Sequence, residues 1–288
     1  MKKIRPTPFP EKNGSVPFNA SGVVRVSPRR FVFVDNKDPT ALFEMTFDPD
    51  IAAVERIHRR RLAGVGKGML RDPEGLTRVD VNGETVLVVS SSLCVEGDRI
   101  CDGLVRVRYA ADGDLAAEPM AGFRAWLLAR EPTLAAAGGL APDGGGLNVE
   151  GLAWDRNALL FGLRGPAAPG RVAVVRIPVD VGGARWTTAS LGRPELIEVP
   201  LPERAVTQGI RDISGAARTG DFLLLLGRST SHGDAPFRLG EWNRGTGTVE
   251  LLDVTFHRTA KPEGVTTFSV GGEQRTLVVD DAGGYAVF

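Results

Sequence analysis

The chain has 288 residues, and its 35 lysine and arginine residues match its 35 aspartate and glutamate residues, so its formal charge at neutral pH is zero. This balance excludes a protein that binds nucleic acid or an anionic membrane through a bulk surplus of positive charge. With 42% apolar and 24% charged residues, the composition is typical of a folded globular protein.

The N-terminal residues are basic but are not followed by the apolar segment of a secretory signal peptide. No apolar run approaches the roughly 18 residues that a membrane-spanning helix needs. We therefore expect a cytoplasmic protein, or a periplasmic or secreted one if a signal peptide has been removed. Residues 1–13 are expected to form an extended arm.

Five later segments share one pattern, in which a small or acidic residue precedes a short strand, a polar turn and a strongly apolar strand. Their first residues are Ser21, Glu74, Glu150, Asp212 and Glu263. The turns Asn82-Gly83 and Gly271-Gly272 are strong signals for hairpins of two antiparallel strands. The second strands, such as TVLVV from Thr85 and FLLLLG from Phe222, are apolar on both faces, so protein must cover both faces.

Two segments between these units have helix-like compositions, at 50–62 and 122–137. We expect a short helix in each, with Pro132 kinking or ending the second one early. The basic run from His58 to Arg61 is expected to be a solvated helix face rather than a nucleic-acid site.

Cys94 and Cys101, the only cysteines of the sequence, flank the turn-like segment VEGDRI. In an oxidising compartment they would form a disulfide across a small hairpin, whereas in the cytosol they would stay free thiols. Without clustered histidines, two thiols make a weak zinc site.

The five segments follow one another at intervals of about 50 to 75 residues, which fits four-stranded propeller blades with insertions. The sequence therefore predicts an all-β fold, with a single β-propeller domain over residues 1–288 that has five blades, or six as the alternative. The last segment supplies only half a blade. A strand near residues 14–18 is expected to complete it and to close the ring.

In a propeller, the start of each first strand and the end of each second strand emerge on the same face, next to the central channel. Four of the five segments would place a carboxylate there, namely Glu74, Glu150, Asp212 and Glu263. Carboxylates this close repel one another and require a proton, a basic side chain or a metal ion.

Three arrangements meet this requirement. In the first, a Ca²⁺ ion is bound by oxygen ligands from Glu74, Asn148, Glu150, Asp212 and Glu263. In the second, basic side chains at the same repeat positions pair with the acids and bind a small anionic ligand; these are Lys37, Arg71, Arg164, Arg211, Arg228 and Lys261. In the third, the repeated Glu-Gly pair is structural, and its carboxylate caps backbone N–H groups of the neighbouring blade.

Three motifs are similar to those of a known family: NVEGLAWD from Asn148, LFGLRGP from Leu160 and GIRD from Gly209. They resemble a bacterial family of unknown function that is related to the esterase-like phytase propellers. The resemblance implies a β-propeller over residues 20–288 and, for the broader relatives, calcium-assisted hydrolysis of phosphoesters or esters. Ser21 departs from the repeated acid, and no phytase catalytic signature is present.

The leading hypothesis is a metal-assisted hydrolase of a small anionic ester, with a phosphoester favoured, at the channel mouth. Glu150, His232 and His257 are the candidate catalytic residues. Both histidines lie in loops expected on this face, and an imidazole beside carboxylates can move a proton at neutral pH. The alternative is a non-catalytic propeller that binds a ligand or a protein partner at the same rim.

Overall fold

The structure, a computed structural model, describes residues 2–10, 18–48, 53–216 and 220–288. Its strands, in chain order, are β1 (Lys2–Ile4), β2 (Thr7–Pro8), β3 (Ala20–Ser27), β4 (Arg30–Asp35), β5 (Ala41–Asp48), β6 (Ala53–Ala63), β7 (Pro73–Val81), β8 (Glu84–Ser91), β9 (Val95–Glu96), β10 (Arg99–Ile100), β11 (Leu104–Arg108), β12 (Leu115–Met120), β13 (Asn148–Asp155), β14 (Ala158–Ala168), β15 (Arg171–Pro178), β16 (Glu195–Pro200), β17 (Gln208–Gly215), β18 (Phe222–Arg228), β19 (Arg238–Asn243), β20 (Thr248–Leu251), β21 (Val254–Phe256), β22 (Pro262–Val270), β23 (Glu273–Asp280) and β24 (Gly284–Val287). Its helices are α1 (Phe123–Leu128), α2 (Pro132–Ala137) and the short 3₁₀ turns at Pro142–Gly144 and Thr188–Ser190.

Among the described strands, hydrogen bonding forms three four-stranded sheets and one eight-stranded sheet, in which β6 pairs with β12. Divided at this pair, the sheets give five four-stranded units, which we call blades 1 to 5. They are β3-β4-β5-β6, β7-β8-β11-β12, β13-β14-β15-β16, β17-β18-β19-β20 and β22-β23-β24-β2. The inner strands β3, β7, β13, β17 and β22 contact one another in this order, and β22 also contacts β3. The blades therefore stand around a closed ring, and the fold is an all-β propeller.

The N-terminal segment completes blade 5 and closes the ring. Strand β2 pairs antiparallel with β24, with Thr7 opposite Tyr285. Strand β1 pairs parallel with β21, so residues of the expected N-terminal arm belong to sheets. Closure by an N-terminal strand is thus confirmed, although the strand is β2 and not the segment near residues 14–18, of which 14–17 lie outside the described residues.

The second strands of the blades are buried on both faces, as their apolar pattern predicts. A central residue of each is at most 1% exposed: Val32, Leu87, Leu160, Leu224 and Val278. Between blades 1 and 5 the packing is aromatic, because the ring of Phe268 lies 5.1 Å from that of Phe31 and 5.5 Å from that of Phe47. This apolar packing between blades holds the ring together.

The predicted helix at 50–62 is wrong for the part that the structure describes. Residues from Ala53 onward form β6, the outer strand of blade 1, which pairs antiparallel with β5. Arg59 and Arg61 point to solvent and form ion pairs with Asp38 and Asp114 at 2.6 and 2.5 Å. The helix-like composition therefore reflects charged side chains on the outer strand of a blade, where pairing with β5 overrides local propensity.

The second helical segment is confirmed, but it contains two helices. Helix α1 ends at Leu128, and Pro132 is the first residue of α2. Proline suits that position because its missing N–H is not needed in the first turn of a helix. Within the described part of the chain, neither helix nor any other has the length and apolar character to cross a membrane.

Glycine is the second residue of four of the five repeated segments because the inner strands come very close there. These residues are Gly22, Gly75, Gly151 and Gly264. A Cβ atom added to Gly22 would lie 2.5 Å from the carbonyl oxygen of Glu74 and 2.7 Å from the backbone nitrogen of Leu76. A Cβ atom on Gly151 would lie 2.9 Å from the backbone nitrogen of Ile213. The Glu-Gly repeat is therefore partly a packing signature of the ring.

We expect Gly22→Ala to lower the free energy of unfolding by about 1–3 kcal/mol, because backbone atoms of blade 2 cannot move away cheaply. Chemical denaturation of the purified protein would measure the loss. Gly139→Ala is the matched control, since a Cβ atom there meets nothing within 4 Å. A Gly22→Ala protein as stable as this control would contradict the close approach of the inner strands.

Candidate functional site

Every inner strand of the described ring has a register shift near its start. In blades 2 to 5 the residue that the ladder bypasses is Glu74, Glu150, Arg211 and Glu263, respectively. A bulge of this kind bends the strand and redirects the bypassed side chain. These four side chains converge at one mouth of the central channel, where Arg211 interacts electrostatically with all three carboxyl groups.

Asp212 is not the counterpart of Glu150, which corrects the expected ring of four carboxylates. The shift in β17 falls between Ile210 and Asp212, so Arg211 occupies the bulge and Asp212 the position that glycine holds in the other blades. The carboxylate of Asp212 accepts hydrogen bonds from the backbone nitrogens of Ile213 at 2.8 Å and of Val265, in the next blade, at 2.7 Å. Asp212, which is not part of a Glu-Gly pair, therefore caps the neighbouring blade in the way that the sequence analysis expected of the Glu-Gly carboxylates.

Arginines pair with two of the three remaining carboxylates. The Nε atom of Arg211 lies 2.7 Å from Oε2 of Glu263 and 2.8 Å from Oε2 of Glu150, and its Nη2 donates to Oε1 of Glu263. Arg164 Nη1 donates to Oε1 of Glu150 at 2.8 Å, and Asn148 Nδ2 donates to the same oxygen at 3.2 Å. The expected ion-pair arrangement therefore describes Glu150 and Glu263, while the calcium site stays a prediction.

Burial and charge shift the pKa values within this ring. Burial alone would lower the pKa of Arg211, but the charges of Glu150 and Glu263 raise it above its usual value. Burial raises the pKa of Glu263 to about 8, against the lowering effect of Arg211. Burial also raises the pKa of Asp212 well above its ordinary value, although three backbone hydrogen bonds favour its ionised form. Burial therefore favours neutral carboxyl groups at the centre of the ring, and an adjacent cation opposes this preference.

Glu74 has no basic partner among its described contacts. Its Oε1 accepts a hydrogen bond from Asn36 Nδ2 at 3.3 Å, and the carboxyl group of Asp72 is close enough for its charge to raise the pKa of Glu74. Burial, followed by the charges of Asp72, Glu150 and Glu263, raises the pKa of Glu74 well above its ordinary value. Neighbouring carboxylates disfavour ionisation of one another, so burial and the charge of Asp72 together favour a proton on Glu74.

Asp72 is held in place by the backbone. It adopts a left-handed conformation, with φ of 51°, and its carbonyl oxygen accepts a hydrogen bond from the nitrogen of Ser92 at 2.9 Å. Aspartate and asparagine tolerate this region better than most residues. Burial raises the pKa of Asp72, and hydrogen bonding from the Ser92 side chain opposes that increase.

A cleft of about 680 Å³ opens beside Asp72, on the rim of blades 1 and 2. Its lining includes the residues Asn36, Pro39, Lys67, Gly68, Leu70, Arg71, Asp72, Glu96, Arg99 and Cys101. The three basic side chains, those of Lys67, Arg71 and Arg99, are solvent-exposed. They outnumber the two acids, Asp72 and Glu96, so the cleft favours an anionic ligand.

Cys94 and Cys101 lie behind Asp72, and both are buried free thiols. The Sγ atom of Cys94 is 4.0 Å from Oδ2 of Asp72 and 3.2 Å from Oγ of Ser92. The structure therefore has no disulfide between these two cysteines, and the compartment on which the two alternatives depend stays a prediction.

Three expected ligand-binding residues lie at the rim but are exposed and do not join the ring. They are Lys37, Arg228 and Lys261, the last of which is 3.8 Å from Asp281. Arg71 lies in the wall of the cleft.

The histidines lie apart from the ring carboxylates. The side chain of His232 is 90% exposed, and its Nε2 is 4.0 Å from Asp143. The Nδ1 atom of His257 is 2.8 Å from the hydroxyl of Thr259. Among the described contacts, neither imidazole touches Glu150, so catalytic roles for the histidines stay predictions.

Replacing Arg211 by methionine should lower the free energy of unfolding by about 3–5 kcal/mol at pH 8, because it leaves Glu150 and Glu263 buried without this partner. The loss should shrink at pH 5, where these acids can bind protons. Denaturant titrations at both pH values would measure it. Arg171→Met is the control: Arg171 pairs with Glu198 on the surface, with side chains 50% and 64% exposed, and should cost less than about 1 kcal/mol. Equal losses for the two variants would contradict the buried ion pairs.

The pKa of Glu74 predicts that the protein loses stability as the pH rises. The ordinary pKa of 4.5 applies to the unfolded chain, whereas the folded chain retains the proton to a much higher pH. Between these two values the folded state binds more protons, so the free energy of unfolding falls with rising pH.

Glu74→Gln should therefore flatten this dependence and raise the melting temperature at pH 9 by roughly 2 °C or more relative to the unmodified chain. Thermal melts between pH 5 and 9 would measure it, with Glu84→Gln, an exposed change in the same blade, as the control. A Glu74→Gln protein that melts lower than the unmodified chain at pH 9 would show that the ionised carboxylate is the stable form.

The sequence did not single out Asp72, Asn36 and the cysteines as one group. A signal was present, because Asn36 follows the second strand of blade 1, Asp72 precedes the first strand of blade 2, and Ser92-Leu93-Cys94 follows its second strand. All three positions fall on the face where the carboxylates were expected.

Residues 124–286 match the model of the family described as "Protein of unknown function (DUF3616)". This match confirms the resemblance to a family of unknown function, while the relation to phytase propellers stays a prediction. A search among curated proteins found no match.

Two solved structures share the fold. An exo-β-1,3-galactanase from Phanerochaete chrysosporium, solved with β-1,3-galactotriose, is 9% identical with a TM-score of 0.51, and the alignment covers 98% of this chain and 62% of that one. A GH32 β-fructofuranosidase from Bombyx mori, in complex with sucrose, is also 9% identical with a TM-score of 0.51, over 99% and 61% of the chains. The chain thus spans about six tenths of the length of these enzymes, and at this identity the likeness concerns the fold alone.

Proposed function

This chain belongs to the DUF3616 family, and we propose that it is a hydrolase of a small anionic ester, with a phosphoester favoured. The observation that supports this proposal best is the pair of neighbouring carboxyl groups from Asp72 and Glu74, of which Asp72 lines a cleft with basic walls.

The carboxyl pair supplies a proton donor and a proton acceptor in one place. Glu74 is buried, its pKa is raised by burial and by the charge of Asp72, and Asp72 lines the cleft. Pairs of carboxyl groups that share one proton act as general acid and general base in hydrolases. Such groups accelerate proton transfer in the transition state by about 10²–10⁴-fold.

The walls of the cleft favour an anionic substrate. Arg71 and Arg99 can offer guanidinium groups that match the oxygens of a phosphate or carboxylate, and Lys67 adds a third positive charge. Arg164 and Arg211, which the sequence also suggested for this task, are engaged with Glu150 and Glu263 instead. Arg164 and Arg211 therefore hold the neighbouring carboxylates in place, and the cleft residues bind the substrate.

The reaction balances without a further reagent. Water attacks the phosphorus or acyl carbon atom, and the bond to the leaving oxygen breaks. The carboxyl pair gives its proton to the leaving oxygen and takes one proton from the attacking water. The pair ends in its initial protonation state, ready for another substrate.

A panel of nitrophenyl substrates would test this proposal. We expect turnover of p-nitrophenyl phosphate or its diester, with kcat reduced at least about 100-fold in Asp72→Asn and in Glu74→Gln. Arg71→Ala should mainly raise KM, because it removes a charge that binds the substrate before and during the reaction. Glu84→Gln is the control and should retain full activity.

Two outcomes would contradict the proposal. One is a panel of phosphate and carboxylate esters without turnover, which would favour the non-catalytic propeller. The other is turnover that Asp72→Asn and Glu74→Gln leave unchanged. Nitrophenyl galactosides belong in the panel because the two solved neighbours are a galactanase and a fructofuranosidase. Turnover of those alone would replace the anionic ester by a glycoside.

A further inference from the structure

Asp72, Cys94 and Cys101 form a cluster whose ligand atoms lie within 4.8 Å of one another. It is the one group of three or more such side chains found among the described ranges, which omit residues 1, 11–17, 49–52 and 217–219. Both cysteines are almost fully buried, at 2% and 3% exposure, and the Cys94 Sγ atom is 4.0 Å from the Asp72 carboxylate. The cluster thus combines two sulfur ligands and one oxygen ligand.

Local backbone structure assembles this cluster from two separate places. The short hairpin of β9 and β10 lies between the cysteines, and the backbone nitrogen of Cys101 donates to the carbonyl oxygen of Cys94 at 3.0 Å. This contact sets the two sulfur atoms side by side. Asp72 is brought to them by the hydrogen bond from Ser92 to its carbonyl oxygen. The three ligands are therefore positioned before any ion binds.

We propose that Cys94, Cys101 and Asp72 bind one thiophilic divalent cation of the Zn²⁺ class, with a fourth coordination position open to the cleft. Zn²⁺ binds thiolates at about 2.3 Å and carboxylates at about 2.0–2.2 Å in tetrahedral sites. In that geometry a sulfur and an oxygen ligand lie about 3.5 Å apart, so the observed 4.0 Å needs only a small closure. Asp72 and Cys101 both line the cleft, so a water molecule or a substrate atom can take the fourth position.

Sulfur ligands decide the class of ion. Ca²⁺ and Mg²⁺ prefer oxygen ligands and larger coordination numbers, whereas paired thiolates select zinc and similar soft or borderline ions. The site therefore differs in residues and in chemistry from the calcium site that the sequence suggested. Its ligands must lose their protons to bind the ion, so binding should release protons and weaken as the pH falls.

The cation site stands on its own ligands, but its effect on hydrolysis rests on the proposed function because the two share Asp72. A cation bound to this carboxylate occupies an oxygen that would otherwise accept a proton from the attacking water. Binding of the cation should therefore inhibit the proposed hydrolysis. This makes the cluster a regulatory site beside the carboxyl pair.

Titration of the reduced full-length chain with Zn²⁺, in competition with a chromophoric chelator, would test the site. We expect one tightly bound ion per chain, and a loss of affinity of at least about 100-fold in Cys94→Ser and Cys101→Ser. Asp98→Asn, an exposed change in the same hairpin, is the control and should bind normally. Co²⁺ added to the unmodified chain should give a thiolate-to-cobalt charge-transfer band, which needs no variant to fold.

The proposal is overturned if the unmodified chain binds Zn²⁺ no more tightly than Cys94→Ser, or if Co²⁺ gives no thiolate band. Zinc that binds in a 1:1 ratio through both thiols but leaves ester hydrolysis unchanged would support the cation site and contradict the role of Asp72 in proton transfer. The failure of one proposal can therefore be told from the failure of the other.

Discussion

The close approach of five inner strands around one axis is the constraint on which the rest of the structure depends. Glycine at four positions allows the backbones to approach closely. A register shift next to the glycine points the neighbouring side chain into a narrow, buried space. Charge in such a space must be paired with an opposite charge or removed by a proton. Arg211 and Arg164 pair with Glu150 and Glu263, whereas burial and neighbouring charges favour a proton on Glu74.

Features set by residues that are neighbours in the sequence could be predicted. Turn residues and doubly apolar strands were enough to identify the hairpins, the ring of blades and its closure by the N-terminus. The outer strand β6 could not be identified, because its charged composition resembles that of a solvated helix unless β5 is known to pair with it. The conformation of such an outer strand depends on the strand it pairs with more than on its own composition.

The candidate site was predicted in outline, with acids and bases at one mouth of the channel. Its details depend on single-residue offsets that a repeat pattern does not resolve. A shift of one residue in β17 exchanges Asp212 for Arg211, because alternate residues of a strand point in opposite directions. The contact of Asp72 with the cysteines depends on loop conformations, including the left-handed backbone of Asp72, for which spacing in the sequence carries no signal.

A proton held by Glu74, beside Asp72, at neutral pH is the central claim, since it links the packing of the ring to the proposed chemistry. Infrared difference spectroscopy at pH 7 tests it most directly, by comparing the unmodified chain with Glu74→Gln in the region where protonated carboxyl groups absorb. The account predicts a protonated-carboxyl band in the unmodified chain that is absent from the variant. Identical spectra in this region would mean that both carboxylates are ionised, and would contradict the account.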